Sequence, residues 1–379
     1  MPSSPGARGG PPVIQLVPSL QHGDAVSHHA LHLGRQLARA GHETHLFARF
    51  VEPGLEALGE PDSAYLPWLG VPHLLVFHYA LYCDNAVLYR ASPARKLLVY
   101  HNITPHEFFD GYSPALAREC ALGRLDLPTL AGCDLAVADS AYNAGELAAA
   151  GFDPARIAVL PPSPQAAALD ATRPGPAVRE RHAAAGTTNI LFVGRVTPNK
   201  AHEDLIKAFA LYRRHFNPDS RLFLVGSRFL PLYDQRLLAL AAALGVGDAV
   251  VMTGRVTLSE LRAYYDLADL FLCLSRHEGF CVPLVEAMHL GVPIVARPAT
   301  AVPETLGGAG LLVGGGHGEV AAAIDRVVRD AALRGALVAA GRARAADFAP
   351  ARLEGDFAAI LARFAGEPAG AAAAARASA

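Results

Sequence analysis

Short apolar runs alternate with amphipathic segments along most of the chain. The first run, VIQLV over residues 13–17, leads through the loop PSLQHGD into Val26, Ala30, Leu33 and Leu37. That four–three–four stepping lays apolar side chains along one helical face. Gly41 stands where a helix-ending glycine belongs, and ETHLFA begins the next run. Strand, helix and strand in this order predict a parallel sheet covered by helices. LLVFHY (74–79), KLLVYH (96–101), DLAVAD (134–139) and RIAVL (156–160) extend the series.

The texture changes at PPSPQAAALDATRPGPAVRERHAAAGTTN, residues 161–189, rich in proline, alanine and polar residues without a clear period. This reads as a hinge or linker. A second series then runs through ILFVGR, RLFLVGS, AVVMTGRV, DLFLCLS, PIVARP and GLLVG, with HEDLIKAFALYRRHF and SELRAYYDLA as intervening helices. A long helical region follows near residues 319–347, and ARLEGDFAAILARF predicts a last helix. The expected fold class is α/β, with two doubly wound, Rossmann-like domains facing an interdomain cleft. The expected boundaries are an acceptor-side domain at 1–165, a hinge at 166–188 and a second domain at 189–348. A helix at 349–366 is expected to pack back on the first domain, followed by a low-complexity, disordered tail at 367–379. Ligands of such sheets bind at the carboxyl ends of the strands.

Composition narrows the class. The chain has 379 residues, 52% hydrophobic and 18% charged, which suits a soluble globular protein with two cores. The net charge of −2 carries no basic excess that would point to nucleic acid. The cysteines, Cys83, Cys120, Cys133, Cys273 and Cys281, are scattered and form no C-x-x-C pair, which favours a reducing compartment. The start, MPSSPGARGGPP, lacks the apolar core of a signal peptide, and no apolar stretch reaches membrane-spanning length. A cytoplasmic location is expected, with peripheral contact at a membrane face left open.

Stock signatures are missing. There is no G-x-G-x-x-G after the first strand of either domain, no G-x-x-x-x-G-K-[ST], no H-E-x-x-H, no G-x-S-x-G and no D-x-D metal–diphosphate clamp. Other residues carry the chemistry. Strand 190–195 ends in Gly194 and Arg195, and Lys200 follows just before a helix. A strand-end glycine admits a ligand to the backbone. Arg195 and Lys200 would neutralise a diphosphate without a metal, or else be ordinary surface cations.

In SRHEGFCVPLVEAMHLGVP, residues 275–293, Glu278 follows an apolar strand, Pro283 suits the first helical position, and Glu286 falls in the first turn. The peptide N–H groups of Phe280, Cys281, Val282 and Leu284, around Pro283, would form an anion-binding helix start. Glu286 suits a diol such as a ribose, and Glu278 suits sugar hydroxyls. The plainer alternative is a pair of capping acids beside a tight turn.

EGFCVPLVEAMHLGVPIVA strongly resembles the E-x7-E region of family 4 of the retaining glycosyltransferases, which have the GT-B fold. FVGRVTPNKAHEDLIKAF resembles the diphosphate-binding segment of that family, and LFLVGS, VVMTGRV and PATAVPETLGGAGLLV resemble its later strands and turns. In the first domain GDAVSHHALHLGRQLARAGHETHLFA and DLAVADSAYNAGEL carry a looser likeness. The resemblance implies a nucleoside diphosphate sugar donor and no divalent metal. It implies that Arg195 and Lys200 bind the diphosphate, Glu286 the ribose and Glu278 the transferred sugar. Main-chain groups of Phe280, Cys281, Val282, Pro283 and Leu284 would hold sugar and phosphate, and Gly226, Arg255 and Val256 would line the base pocket.

His101, at a strand end, would contact sugar hydroxyls, although Asn102 stands where many members have aspartate. Gly23 lies in a loop that is richer in glycine in the family. The implied function is a retaining, metal-independent hexosyltransferase acting on a carbohydrate or glycolipid acceptor in bacterial surface polysaccharide, lipopolysaccharide or glycolipid synthesis. The alternatives are a non-catalytic nucleotide-sugar-binding protein or partner subunit, and a nicotinamide oxidoreductase, against which the missing glycine fingerprint argues. His28 and His32 share a helical face at a spacing that could bind a metal. The same face carries Arg35 and Arg39, and a solvated or acceptor-facing surface is the expectation. HEFFD (106–110) offers no third metal ligand.

Overall fold

A computed structural model describes residues 11–183 and 186–366. The tail expected at 367–379 and most of the MPSSPGARGGPP segment lie outside the described residues. The chain divides into two compact units. One takes in residues 11–107, 115–163 and 350–366, the other 108–114 and 164–349.

In the first unit the strands are β1 (Val13–Leu20), β2 (Thr44–Val51), β3 (Glu60–Pro61), β4 (Leu74–Tyr79), β5 (Arg95–Tyr100), β6 (Leu135–Ala138) and β7 (Ile157–Val159). They pair in the order β3-β2-β1-β4-β5-β6-β7, every pairing parallel. Helix α1 (Ala25–Arg39) starts at Asp24, whose carboxylate accepts a hydrogen bond from the Ser27 N–H at 2.9 Å, a standard N-cap. Its buried Leu33 and Leu37 sit with Val13, Leu74, Val76, Val99 and Val137 in one apolar cluster. Phe357, Ile360, Leu361 and Phe364 of the last described helix, Pro350–Gly366, complete that cluster. The cover of this sheet therefore comes from both sides of the intervening unit in sequence.

In the second unit the strands are β8 (Thr188–Val193), β9 (Ser220–Val225), β10 (Val250–Gly254), β11 (Leu270–Cys273), β12 (Ile294–Ala296) and β13 (Leu311–Leu312). Their order, β10-β9-β8-β11-β12-β13, reverses direction between β8 and β11. Connections leave these two adjacent strands toward opposite sides, so a crevice opens at their carboxyl ends. Both chain loops that carry the expected diphosphate and sugar contacts begin there.

The hinge expected at 166–188 is not an open linker. Residues Ala166–Ala171 and Pro176–His182 are helices of the second unit. Leu169 and Val178 anchor them in its core, and the Gly175 N–H donates to the Ser259 carbonyl at 2.8 Å. Each helix has too few apolar anchors to show a period, which is why composition alone suggests a linker. The region expected as one long helix near 319–347 is two, His317–Arg329 and Ala331–Ala345, parted at Asp330, whose carboxylate caps the second through the Leu333 N–H at 2.9 Å. Residues 108–114 join the second unit through Tyr112, packed edge-on against Tyr233 at 5.0 Å and under the Arg236 guanidinium. Among the described residues no helix is long and apolar enough to cross a membrane.

Candidate functional site

Two glycines shape the rim of the second sheet. A Cβ on Gly226 would lie 2.0 Å from the Gly194 carbonyl oxygen, so β8 and β9 run on beside each other only because position 226 has no side chain. The Gly226 N–H donates to the Gly254 carbonyl at 3.2 Å, aligning the ends of β8, β9 and β10. Arg255 and Val256 follow directly, the first exposed and the second half-buried.

Beyond Gly194, Arg195 is exposed and its guanidinium makes no hydrogen bond among the described residues. The chain then makes a short 3-10 turn, Pro198–Lys200, and enters the helix His202–His215 through Ala201 in the left-handed region, φ 53°. This loop is stitched to the one after β11. The Arg276 N–H donates to the Asn199 carbonyl at 2.8 Å, and Asn199 Nδ2 donates to the His277 carbonyl at 3.2 Å. The stitching brings Lys200 Nζ to 2.5 Å from Glu278 Oε2. Glu278 is fixed from its other side, since its N–H donates to Thr300 Oγ1 and its carbonyl accepts from the same hydroxyl, both at 2.8 Å.

Helix Val282–Leu290 begins one residue before Pro283, which is its second residue. Glu286 therefore lies one turn in, not in the first turn. Its N-cap, Cys281, has φ 72° and ψ 67°, a left-handed conformation that costs a non-glycine residue about 1–3 kcal/mol. The consequence is local. Pro283 has no N–H, and the Leu284 N–H is taken by the Cys281 carbonyl at 3.0 Å. Phe280, Cys281 and Val282 keep their N–H groups without a protein acceptor among the described residues. Successive unpaired N–H groups around a left-handed residue form an anion-binding nest. Of the peptide N–H groups in the stretch 280–284, those of the first three residues are the ones left open among the described residues.

Glu286 is buried and accepts a hydrogen bond from the Tyr265 hydroxyl at 2.9 Å. Burial raises its pKa, against hydrogen bonds from Tyr265 and the Gln165 backbone that favour the charged form. Tyr265→Phe should leave that oxygen without its donor and cost about 1–3 kcal/mol, read as a lower melting temperature. An unchanged melting temperature would remove Tyr265 from the support of the site. Cys273 and Cys281, both buried, share a thiol–thiol hydrogen bond, which lowers the pKa of Cys273 and raises that of Cys281.

Around this centre Asp204 collects Arg276 at 3.0 Å, Arg297 at 2.8 Å and His317 at 3.0 Å. Burial works against its charge, but the hydrogen bonds from these partners win and lower its pKa to about 2. It holds Arg276 and the strand-end Arg297 in place.

The expected residues Gly23 and His101 belong to the first unit. Gly23, φ 70°, lies between β1 and α1 with open space where a Cβ would be. His101 follows β5, but both of its ring nitrogens have protein partners. Nε2 lies 2.9 Å from His78 Nδ1, and Nδ1 lies 3.0 Å from Asp139 Oδ2. Its side chain is 4% exposed. His101 is thus held in a side-chain network with His78 and Asp139. His28 and His32 remain half-exposed, while the buried histidine of that helix is His29.

Residues 177–344 match the family model described as glycosyl transferases group 1. Over the whole chain the structure is similar to sucrose-phosphate synthase from Thermosynechococcus elongatus, with a TM-score of 0.71, 21% identity, and 94% of this chain and 100% of that one covered. It is also similar to Anabaena Alr3699/HepE in complex with UDP, at a TM-score of 0.70 and 19% identity, with 93% and 99% covered. The fold is GT-B. Among curated relatives the chain is 31% identical over 225 residues to a GDP-mannose-dependent alpha-(1-6)-phosphatidylinositol monomannoside mannosyltransferase from Mycobacterium tuberculosis. That match covers 56% of this chain and 57% of the relative. It is 34% identical over 211 residues to a D-inositol 3-phosphate glycosyltransferase from Acidothermus cellulolyticus, covering 52% and 46%. The chain thus spans about half the length of the curated relatives it matches. In this GT-B chain the group 1 segment takes in the expected second-unit contacts, from Gly194 to Glu286.

Proposed function

We propose that the protein is a retaining, family 4-type glycosyltransferase that moves a hexose from a nucleoside diphosphate sugar to an acceptor hydroxyl. One observation carries the reading. At the topological switch point of the second sheet, Lys200 pairs with Glu278, and the three unpaired N–H groups of Phe280, Cys281 and Val282 follow directly. This is a cation and a backbone nest suited to a diphosphate, beside a carboxylate suited to a sugar. Arg195, exposed and without a partner among the described residues, supplies a second cation. Glu286, positioned by Tyr265, is assigned to the ribose, and Gly226, Arg255 and Val256 to the base side.

In the proposed step the bond from the anomeric carbon to the phosphate oxygen breaks as the bond to the acceptor oxygen forms on the same face. The proton leaves the acceptor for the departing phosphate. Charge grows on that phosphate, and Arg195, Lys200 and the nest stabilise it where it develops. These groups supply positive charge without a divalent ion, which supports metal-independent transfer. The mannosyl- and inositol-linked names of the relatives make GDP-mannose the first donor to try, and an inositol-bearing glycolipid or another surface glycan precursor the first acceptor.

Thermal-shift titration with nucleoside diphosphates and nucleotide sugars, with and without magnesium, tests the donor site. Stabilisation by one nucleotide series irrespective of magnesium is expected, and no stabilisation by any of them would end the proposal. Product anomeric configuration, read by NMR, tests retention. Donor binding without turnover on any acceptor would select the non-catalytic alternative. Arg195→Ala gives a clean separation of folding from function. It should leave stability within about 0.5 kcal/mol, because the side chain is an exposed surface group, and yet weaken diphosphate binding measured by calorimetry. Unaltered affinity would take Arg195 out of the site.

A further inference from the structure

The first unit gathers a second polar cluster at the carboxyl edge of its sheet. His29 comes from α1, His78 from β4, His101 from the turn after β5 and Asp139 from the turn after β6. One ligand atom from each of His29, His101 and Asp139 lies within 4.8 Å of the others.

Hydrogen-bond directions fix most of the protons. Gln15 Nε2 donates to the Ala30 carbonyl at 3.1 Å, so Gln15 Oε1 accepts from His78 Nε2 at 2.9 Å. A neutral His78 that donates through Nε2 accepts through Nδ1, which lies 2.9 Å from His101 Nε2. His101 Nδ1 and Asp139 Oδ2, 3.0 Å apart, therefore meet through one shared proton. The third member is unsatisfied. Among the described residues His29 Nδ1 is buried with no hydrogen-bond partner, as is Asp139 Oδ1. An orphaned imidazole nitrogen and an orphaned carboxylate oxygen in one buried cluster are costly unless something binds there.

We propose that His29, His101 and Asp139 form a binding site for a late first-row divalent metal ion, with zinc as the natural occupant. Two imidazoles and one carboxylate suit zinc, cobalt or nickel and not the all-oxygen preference of magnesium or calcium. Zinc bonds of about 2.0–2.2 Å put tetrahedral ligand atoms roughly 3.4 Å apart, within reach of small side-chain rotations here. The ion would take the place of the proton between His101 Nδ1 and Asp139, which is released to solvent on binding. The chain from His101 Nε2 through His78 to Gln15 is then the outer support that metal-bound histidines require, already assembled. A second cluster of metal-ligating type, Cys273, Glu278 and Cys281, is a poorer candidate, because its carboxylate is already paired with Lys200 and its thiols with each other. The proposed ion lies wholly in the first unit and is separate from the diphosphate reading of the second.

The test uses the full chain, stripped with chelator and dialysed against zinc. One tightly held zinc per chain is expected by elemental analysis. His29→Gln and Asp139→Asn should each lower the affinity at least about 100-fold in competition with a chromophoric chelator, and His28→Gln should leave it unchanged. No retained zinc, or equal retention in His29→Gln and His28→Gln, would overturn the proposal. Should either ligand variant fail to fold, X-ray absorption on the zinc-loaded wild type decides. Two imidazoles plus oxygen ligation supports the site, and sulfur ligation or a single imidazole rejects it.

Discussion

Lys200→Ala is expected to lower turnover by about 100- to 1,000-fold, the loss that follows removal of one pre-placed donor from a developing anion. It should also cost stability, because the Glu278 side chain is only 6% exposed and Lys200 is its ion-pair partner at 2.5 Å. Breaking such a pair from one side strands a buried charge, at roughly 3 kcal/mol. The two effects separate in the double variant. Lys200→Ala with Glu278→Gln should recover much of the stability, since no carboxylate is left unpaired, and none of the turnover. A double variant that regained activity would mean that Lys200 acts only as a structural counter-ion.

The second large effect is expected from Gly226→Ala. Its methyl group would lie 2.0 Å from the Gly194 carbonyl oxygen and 2.6 Å from the carbonyl carbon, both backbone atoms that no side-chain rotation can move. The ends of β8 and β9 would have to part, disturbing the Gly194 N–H bond to the Val225 carbonyl and the Val196 N–H bond to the Ser227 carbonyl, each 2.9 Å. A cost on the order of 3–5 kcal/mol follows, or roughly 6–20 °C in the melting temperature of a unit this size. A melting temperature within 2 °C of the wild type would show that the rim relaxes far more freely than a strand end should.

Much of the sheet framework is visible in the sequence, because its strands are buried apolar runs with sharp polar borders. LLVFHY coincides with β4 at both ends. Elements that depend on a partner are harder to see. The strand Glu60–Pro61 consists of two residues paired to β2, and the helices at 166–171 and 176–182 each bury only two side chains. The same split runs through the site. Arg195, Lys200, Glu278 and Glu286 stand out locally, as charges at strand and helix ends. That Lys200 and Glu278 touch does not, for 78 residues separate them. Tyr265 looks like an ordinary core aromatic until Glu286 is placed beside its hydroxyl. His78 and Asp139 each appear as one polar residue inside or after an apolar run. Only the neighbouring of β1 with β4, and of β4 with β5 and β6 in turn, turns them into a cluster with Gln15 and His101.

The apolar cluster that Phe357, Ile360, Leu361 and Phe364 close has a consequence for biosynthesis. A nascent chain emerging from the ribosome exposes the flank around Val13, Val76 and Val99 long before its cover has been translated. The segment 164–349, holding its own sheet, is complete first. Maturation of this polypeptide should therefore run out of order, the later-made half settling while the earlier one waits, vulnerable to chaperones and proteases, for its last helix to arrive.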